Sequence, residues 1–268
     1  METSTTQSVQ IQHIRNATVK ITYADNIFLV DPMLAKKGAY PGFEGTYRSH
    51  LRNPMIELPM PAENVIEAVD AVIVSHTHLD HWDDAAQELL PKGIPLFAQD
   101  EDDAQIIRAQ GFTDVRILGA NVVFKGVHLT KTGGLHGTDS MYSVSDLAKI
   151  LGKVMGIVFQ APGSKTVYVA GDTVWNSEVD ETLAKFNPDV IILNTGDARL
   201  TGFSDSIIMS KDDTLHAHRA APNATIIAVH MDAINHTALS REELREYVQQ
   251  KGIQDRVVIP DDGEILRL

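Results

Sequence analysis

The stretch "AVDAVIVSHTHLDHWDD", residues 68–84, constrains the fold of this chain more than any other. Its almost wholly apolar start reads as a buried strand. That strand ends abruptly in a ten-residue segment, 75–84, holding three histidines and three aspartates, although the whole chain has only 11 histidines. His76 and His78 stand two apart in extended chain, so their side chains leave on the same side. Asp80 and His81 follow where the chain turns into a helix, and so approach from another direction. One short loop can thereby supply ligands to two neighbouring metal ions. The bland alternative is a polar, helix-capping loop with Asp80 as the cap.

Other buried runs finish in the same kind of residue. "TVYVA" leads to Asp172, "VIILN" to Asp197 and "TIIAV" to His230, while His136 lies in the glycine-rich "TGGLHGTD" that follows "GVHLT". In layered α/β proteins, ligands collect beyond the carboxyl ends of strands. The chain has no cysteine, so a transition-metal site here must be built from His, Asp and Glu, a donor set that suits zinc, manganese or iron.

The order of elements supports such convergence. The opening "VQIQHI" and "TVKITYADNIFLVD" read as antiparallel strands, with a tight turn at Asp25-Asn26. Residues 35–62 are rich in Gly, Pro and aromatics and show no period, which marks a functional loop or lid. From residue 63, helices near "AENVIEAV", "DDAAQELL" and "DDAQIIRAQ" alternate with strands "AVIVS", "IPLFA" and "DVRIL". A β-rich middle follows ("NVVFKGVHLTKT", "KVMGIVFQA", "TVYVAGD"), with "APGSKT" as a hairpin loop. Helices and strands then alternate again to the strand "RVVIP". The "SREE" at 240–243 is a capping box that opens the helix "SREELREYVQQ". Strand-rich starts followed by helices in both halves predict an α/β fold of two sheets packed face to face, with helices outside. Residues 1–268 are expected to form one domain with a shared core.

Composition excludes several classes. Acidic residues outnumber basic ones by 36 to 23, a formal charge of −13, which disfavours nucleic acid as a partner. No apolar run approaches the roughly 20 residues needed to cross a bilayer, so no membrane is expected. The polar start "METSTTQSVQ" lacks the marks of a signal peptide, and a cytoplasmic location is expected. A homo-oligomer is left open.

"HTHLDH" resembles the His-x-His-x-Asp-His signature of the metallo-β-lactamase fold superfamily, and the later candidates occur in that family's order. The resemblance implies a four-layer αββα sandwich of two mixed sheets with outer helices. It implies that His76, His78 and His136 hold one divalent metal, that Asp80, His81 and His230 hold a second, and that Asp172 bridges both. Zinc or manganese is the first expectation for the pair, with iron or nickel as options. It further implies a hydrolase whose nucleophile is a hydroxide held by the two metals, with Asp80 and Asp172 offsetting metal charge and Asp172 handling the proton. "VKITYADNIFLVDPML" and "AVHMDAINHTALSREEL" are similar to the compact bacterial branch of metal-dependent hydrolases that includes the ascorbate-6-phosphate lactonase.

The expected substrate is therefore a small molecule with an ester, lactone or phosphoester bond, an anionic group being one option. A nuclease or RNA-processing phosphodiesterase and a di-iron oxidoreductase are the competing readings. His236 is the candidate for proton donation to the leaving group. Asp232 is a candidate to orient a ligand histidine, and Asp197 to line the cleft. In 35–62, Tyr40, Phe43 and Tyr47 would grip an apolar part of the substrate, while Arg48, His50 and Arg52 offer charge for a carboxylate or phosphate. His13, His128, His216, His218 and Trp82 read as structural or solvent-facing.

Overall fold

The structure, a computed structural model, describes residues 8–268. Its first strands, β1 (Gln10–Arg15), β2 (Thr18–Tyr23) and β3 (Asn26–Val30), pair antiparallel. The turn between β2 and β3 is centred on Ala24 and Asp25, with φ of 46° and 61°, one residue before the expected Asp25-Asn26. Asn26 already pairs with Tyr23 in the ladder, and its side-chain amide donates to the Ala24 carbonyl at 2.6 Å. Positive φ at both central residues matches the turn to the strand twist. Beyond the irregular 35–62 stretch come α1 (Ala62–Ile66), β4 (Ala71–Val74), α2 (Asp84–Leu89), β5 (Leu96–Ala98), α3 (Glu101–Ala109) and β6 (Val115–Ile117). Here β3, β4, β5 and β6 pair in parallel, each joined to the next by a crossover.

The second half repeats this plan. Strands β7 (Val122–Phe124), β8 (Val127–Thr132), β9 (Gly156–Gln160) and β10 (Val167–Val169) pair antiparallel. Two short helices, α4 (Asp139–Tyr142) and α5 (Ser145–Leu151), interrupt the middle that sequence reading took as β-rich. Then α6 (Ser177–Phe186), β11 (Val190–Asn194), α7 (Lys211–Ala220), β12 (Thr225–Val229), α8 (Arg241–Lys251) and β13 (Val257–Val258) extend the sheet in parallel. Strand β14 (Ile265–Arg267), absent from the sequence reading, returns to pair with β1. The result is two mixed sheets of seven strands, ordered β14-β1-β2-β3-β4-β5-β6 and β13-β12-β11-β10-β9-β8-β7, with helices on their outer faces. This is the αββα sandwich.

Alternation along the strands assigns each side chain to a layer. In β4, Ala71 and Ile73 face the core between the sheets, whereas Val72 and Val74 face the helices. In β11, Val190 and Ile192 point inward, and Ile191 and Leu193 pack with Val179, Ala217 and Leu244 of the outer helices. Phe28, Phe97, Phe124 and Phe159 form a chain of edge-to-face rings between the sheets, with centroids 5.3–5.8 Å apart. Burying each such side chain contributes about 1.5–3 kcal/mol. With both faces covered, the free ends of the parallel strands are the natural place for polar groups. No helix among the described residues is long and apolar enough to cross a membrane.

Candidate metal centre

Four strand ends deliver the ionisable groups to one place. β4 runs into His76, His78, Asp80 and His81; the loop after β8 carries His136; the turn after β10 carries Asp172; and His230 follows β12 directly. Gly171 has φ of +71°, and a Cβ there would stand 2.4 Å from the Met155 carbonyl oxygen, so the turn that presents Asp172 requires glycine. His230 itself takes φ of 67°, a costly conformation for a non-glycine residue, held where β12 ends. The loop after His76 is not a capping loop built on Asp80. The N-cap of α2 is Asp83, whose carboxylate accepts from the Ala86 N–H at 2.8 Å.

The side chains converge in two groups: His76, His78 and His136, and Asp80, His81, Asp172 and His230, with the ligand atoms of each group within 4.8 Å of one another. His76 Nε2 and His78 Nδ1 are 3.0 Å apart. His81 Nε2 is 3.0 Å from Asp172 Oδ2 and 3.2 Å from His230 Nε2. Asp80 Oδ2 lies 3.5 Å from His230 Nε2. Asp172 Oδ2 also stands 3.5 Å from His230 Nε2 and 3.8 Å from His136 Nε2, so one carboxylate oxygen faces both groups.

Outer partners decide what the inward nitrogens can do. A backbone carbonyl only accepts, so His136 Nδ1 donates to Ile207 O (2.9 Å) and His78 Nε2 to Ile150 O (2.8 Å). Asp31 accepts from His81 Nδ1 at 2.9 Å, and from the Ser75 hydroxyl and N–H at 2.7 Å each. With its proton given to Asp31, Ser75 Oγ accepts from His76 Nδ1 at 3.1 Å. With the outer nitrogens so bonded, His76, His78, His81 and His136 all turn their second ring nitrogen inward, toward each other and toward carboxylates. Such an arrangement of ring nitrogens and carboxylates fits cations, and the outer bonds fix each ring's orientation.

The protonation energetics agree. Burial and the neighbouring His81 and His78 hold His76 well below its ordinary range, and burial holds His136 down to about 4. Burial also opposes charge on His81, but Asp172, Asp31 and Asp80 outweigh it and lift that imidazole well above the usual value. His230, likewise buried, is raised to about 9 chiefly by Asp172. Desolvation disfavours ionised Asp80 and Asp172, yet the surrounding histidines hold both carboxyls below the ordinary range. The carboxylates thus stay charged, and positive charge is drawn to the space between them and the rings.

A cleft of about 410 Å³ opens onto this centre. His78, Asp80, His136 and His236 border it at the polar end, and Phe43, Leu147, Ile150, Leu200, Phe203 and Ile207 supply an apolar wall. His236 is buried, and that burial pushes it down to about 4; its ring centroid is 5.3 Å from that of Phe43.

Several candidates fall elsewhere. Asp232 accepts from the Arg241 N–H at 3.3 Å rather than orienting a ligand histidine, and Asp197 pairs with Arg199 at 2.7 Å and does not border the cleft. Arg48 donates to the carbonyls of Asn235 and Thr237, and Arg52 to those of Gly38 and Ala39. These guanidiniums are occupied by backbone, and neither borders the cleft, which removes the expected grip on an anion. His50 is exposed. Tyr40 and Tyr47 also stay off the cleft wall, to which 35–62 contributes Phe43, Glu44, Gly45 and Thr46. His13 bonds the Asn16 carbonyl at 3.0 Å, His216 stacks on Trp175 at 4.1 Å, His218 pairs with Asp255 at 3.2 Å, and His128 sits on exposed strand surface. Buried Trp82 packs on Phe112, with centroids 5.3 Å apart.

Sequence reading missed Asp31, Ser75 and Asn194, whose amide donates to Asp172 Oδ1 at 2.7 Å. Asp31 and Asn194 did carry a signal: each is a polar residue at the end of a buried apolar run, "NIFLV" and "VIIL". Asn16 was also missed; its amide donates to the Asp80 carbonyl at 2.9 Å, and its own carbonyl accepts from the His230 N–H at 3.0 Å.

Residues 26–231 match the family described as beta-lactamase superfamily domain. The UPF0173 protein YddR of Bacillus subtilis (strain 168) is 45% identical over 256 residues, 96% of this chain and 98% of its own length. The crystal structure of a possible metal-dependent hydrolase from Veillonella parvula DSM 2008 superposes with a TM-score of 0.96 at 48% identity, covering 98% of this chain and 100% of that one. The crystal structure of isothiocyanate hydrolase from Delia radicum gut bacteria gives a TM-score of 0.92 at 46% identity, with 96% and 98% covered.

Proposed function

The chain belongs to the beta-lactamase superfamily, in its UPF0173 group of metal-dependent hydrolases, and from that premise we propose that it uses a pair of divalent cations to hydrolyse a small, neutral, largely apolar molecule at an electrophilic carbon. The observation that carries this reading is the cleft: an apolar wall that ends on the two groups of inward ring nitrogens and carboxylates. His76, His78 and His136 would hold one cation; Asp80, His81 and His230 the other; and Asp172 Oδ2 would reach both. Two divalent cations held there would supply Lewis acidity and would bring the pKa of a coordinated water to about 7, from about 15.7 in bulk. Zinc and manganese suit the imidazole and carboxylate donors.

This chain's own residues do the rest. Asn194 holds Asp172 by Oδ1, which turns Oδ2 toward both groups of ligands and fixes the carboxylate between them. Buried His236, neutral near pH 7, stands at the polar end of the cleft and directs a hydrogen bond to the leaving group. Phe43, Leu147 and Phe203 hold the apolar tail and exclude water from around the reacting carbon. The 35–62 segment serves as one side of that cleft. The formal charge of −13 and the apolar lining favour a small molecule over nucleic acid.

The isothiocyanate hydrolase relative makes an isothiocyanate the first substrate to try. Water adds through oxygen to the central carbon; cleavage of the C–N bond then releases an amine and carbonyl sulfide, both water protons ending on nitrogen. Neutral esters and lactones present the same electrophilic carbon and are the second reading, which an apolar cleft accepts equally well. The test is a panel of benzyl isothiocyanate, phenyl acetate, a γ-lactone and bis(p-nitrophenyl) phosphate, assayed with zinc- or manganese-loaded protein and with Asp172→Ala. Turnover of a neutral member, lost in Asp172→Ala, is expected. Turnover of the phosphodiester alone, or activity indifferent to Asp172, contradicts the proposal.

A further inference from the structure

One buried side chain that plays no part in the metal centre organises the cleft above it. Asn235 is fully buried in the loop after β12, beside His236. Its Oδ1 accepts from the Phe43 N–H at 3.1 Å and from Asn53 Nδ2 at 2.8 Å. Its Nδ2 donates to Thr46 Oγ1 at 2.8 Å and to the Tyr47 carbonyl at 2.7 Å. Two acceptances and two donations use the full hydrogen-bonding capacity of a side-chain amide. The backbone joins in: the Asn235 N–H donates to Asn53 Oδ1 at 2.8 Å, and its carbonyl accepts from Arg48 Nε at 3.1 Å.

All of these partners lie in the 35–62 segment, which has no helix or strand of its own beyond isolated bridges such as Tyr40 with Asn53 and Thr46 with Leu200. Backbone bonds flank Thr46, from the Tyr47 N–H to the Arg199 carbonyl at 3.0 Å and from the Thr201 N–H to the Gly45 carbonyl at 2.9 Å, and the Asn235 side chain ties the same stretch to the loop after β12. The same segment presents Phe43 to the cleft, against the ring of the residue that follows Asn235. We infer that Asn235 is the positioning residue of the substrate cleft: it clamps the Phe43–Tyr47 wall to the loop that carries His236, and so sets how tightly the enzyme holds the tail of its substrate. The clamp makes this segment a fixed wall rather than a swinging lid. Asn235 touches neither substrate nor cation and acts through Phe43 and His236. The inference rests on the cleft being the substrate site, as proposed above.

The test uses Asn235→Ala and, because a buried hub can impair folding, Thr46→Val, which removes one acceptor of the clamp from a half-buried loop position. Both are loaded with zinc and compared with the parent in two measurements. The first is hydrogen–deuterium exchange across residues 38–53, where faster exchange is expected in both variants. The second is steady-state kinetics on benzyl isothiocyanate and on methyl isothiocyanate, whose tail offers the wall far less surface. For the benzyl compound, KM is expected to rise about tenfold in Asn235→Ala with kcat within about threefold, while KM for the methyl compound stays within about twofold. Zinc content is expected to stay at the parent's level. Unchanged exchange in both variants overturns the inference. So does a parallel loss of kcat and zinc on both substrates, which would make Asn235 a support of the metal centre. If the parent protein turns over neither isothiocyanate, the substrate reading fails, and exchange alone still decides whether Asn235 clamps the wall.

Discussion

At His81, both ring nitrogens are committed: Nδ1 donates to Asp31, and Nε2 faces Asp172, His230 and Asp80. Asp31 also takes the Ser75 hydroxyl, which in turn fixes His76, so one carboxylate outside the cluster aligns a histidine in each group. Asp31→Ala is accordingly expected to weaken metal binding by about 10–100-fold without unfolding the protein. Competition with a chromogenic chelator measures this, and an affinity equal to the parent's would show that the alignment is immaterial. At this scale the sequence was readable wherever a residue type stood at a strand end. It was not readable where a neighbour from another element decided the role. Asp31, Asp197 and Asp232 all follow apolar runs, but Arg199 and Arg241 occupy the last two, whereas Asp31 meets His81.

Elements with strong periodic or capping signals were legible. "SREE" does open α8: Ser240 accepts from the Glu243 N–H at 3.2 Å, and Glu243 reaches back to the Ser240 N–H at 2.9 Å. Because α8 packs Leu244 and Val248 against the outer face of its sheet, Ser240→Ala is expected to lower unfolding free energy by about 1 kcal/mol and leave bound metal unchanged. Denaturant titration alongside metal analysis checks both; lost metal would tie the helix to the centre. By contrast, α4 and α5 were invisible in the sequence. Each is short, and their apolar residues serve a small cluster with Ile207 and Ile208 rather than a sheet face, with Ile150 left 67% exposed beside the cleft. No amphipathic stripe results. The β14 strand is only three residues long and only half-buried or exposed, so its pairing with β1 follows from tertiary closure.

Across the whole molecule, folding and metal binding are coupled through charge. In the metal-free protein His230 is raised to about 9 and His81 stands well above its ordinary range, so protons occupy the space between the carboxylates. A raised pKa contributes stability that is fully present below the unfolded value of about 6.5 and is lost as pH rises through the folded value. Cation binding displaces those protons and so strengthens over the same interval. The difference in Tm between zinc-loaded and chelated protein is therefore expected to widen from pH 6.5 to pH 9. A difference that stays constant or narrows in a pH series of thermal melts would contradict that coupling. The sandwich was foreseeable because apolar runs alternate with helices in each half; how the two sheets face each other, and hence which strand ends meet, is fixed only by the shared core of Phe28, Phe97 and Phe159.

The central claim is that these strand ends hold two cations between named atoms. Anomalous diffraction from crystals of zinc-loaded protein, recorded on both sides of the zinc edge, tests it most directly. The account predicts two peaks about 3.5–4 Å apart, one among His76 Nε2, His78 Nδ1 and His136 Nε2, the other among Asp80, His81 Nε2 and His230 Nε2, with Asp172 Oδ2 between them. A single peak, or none within reach of Asp172, would contradict it.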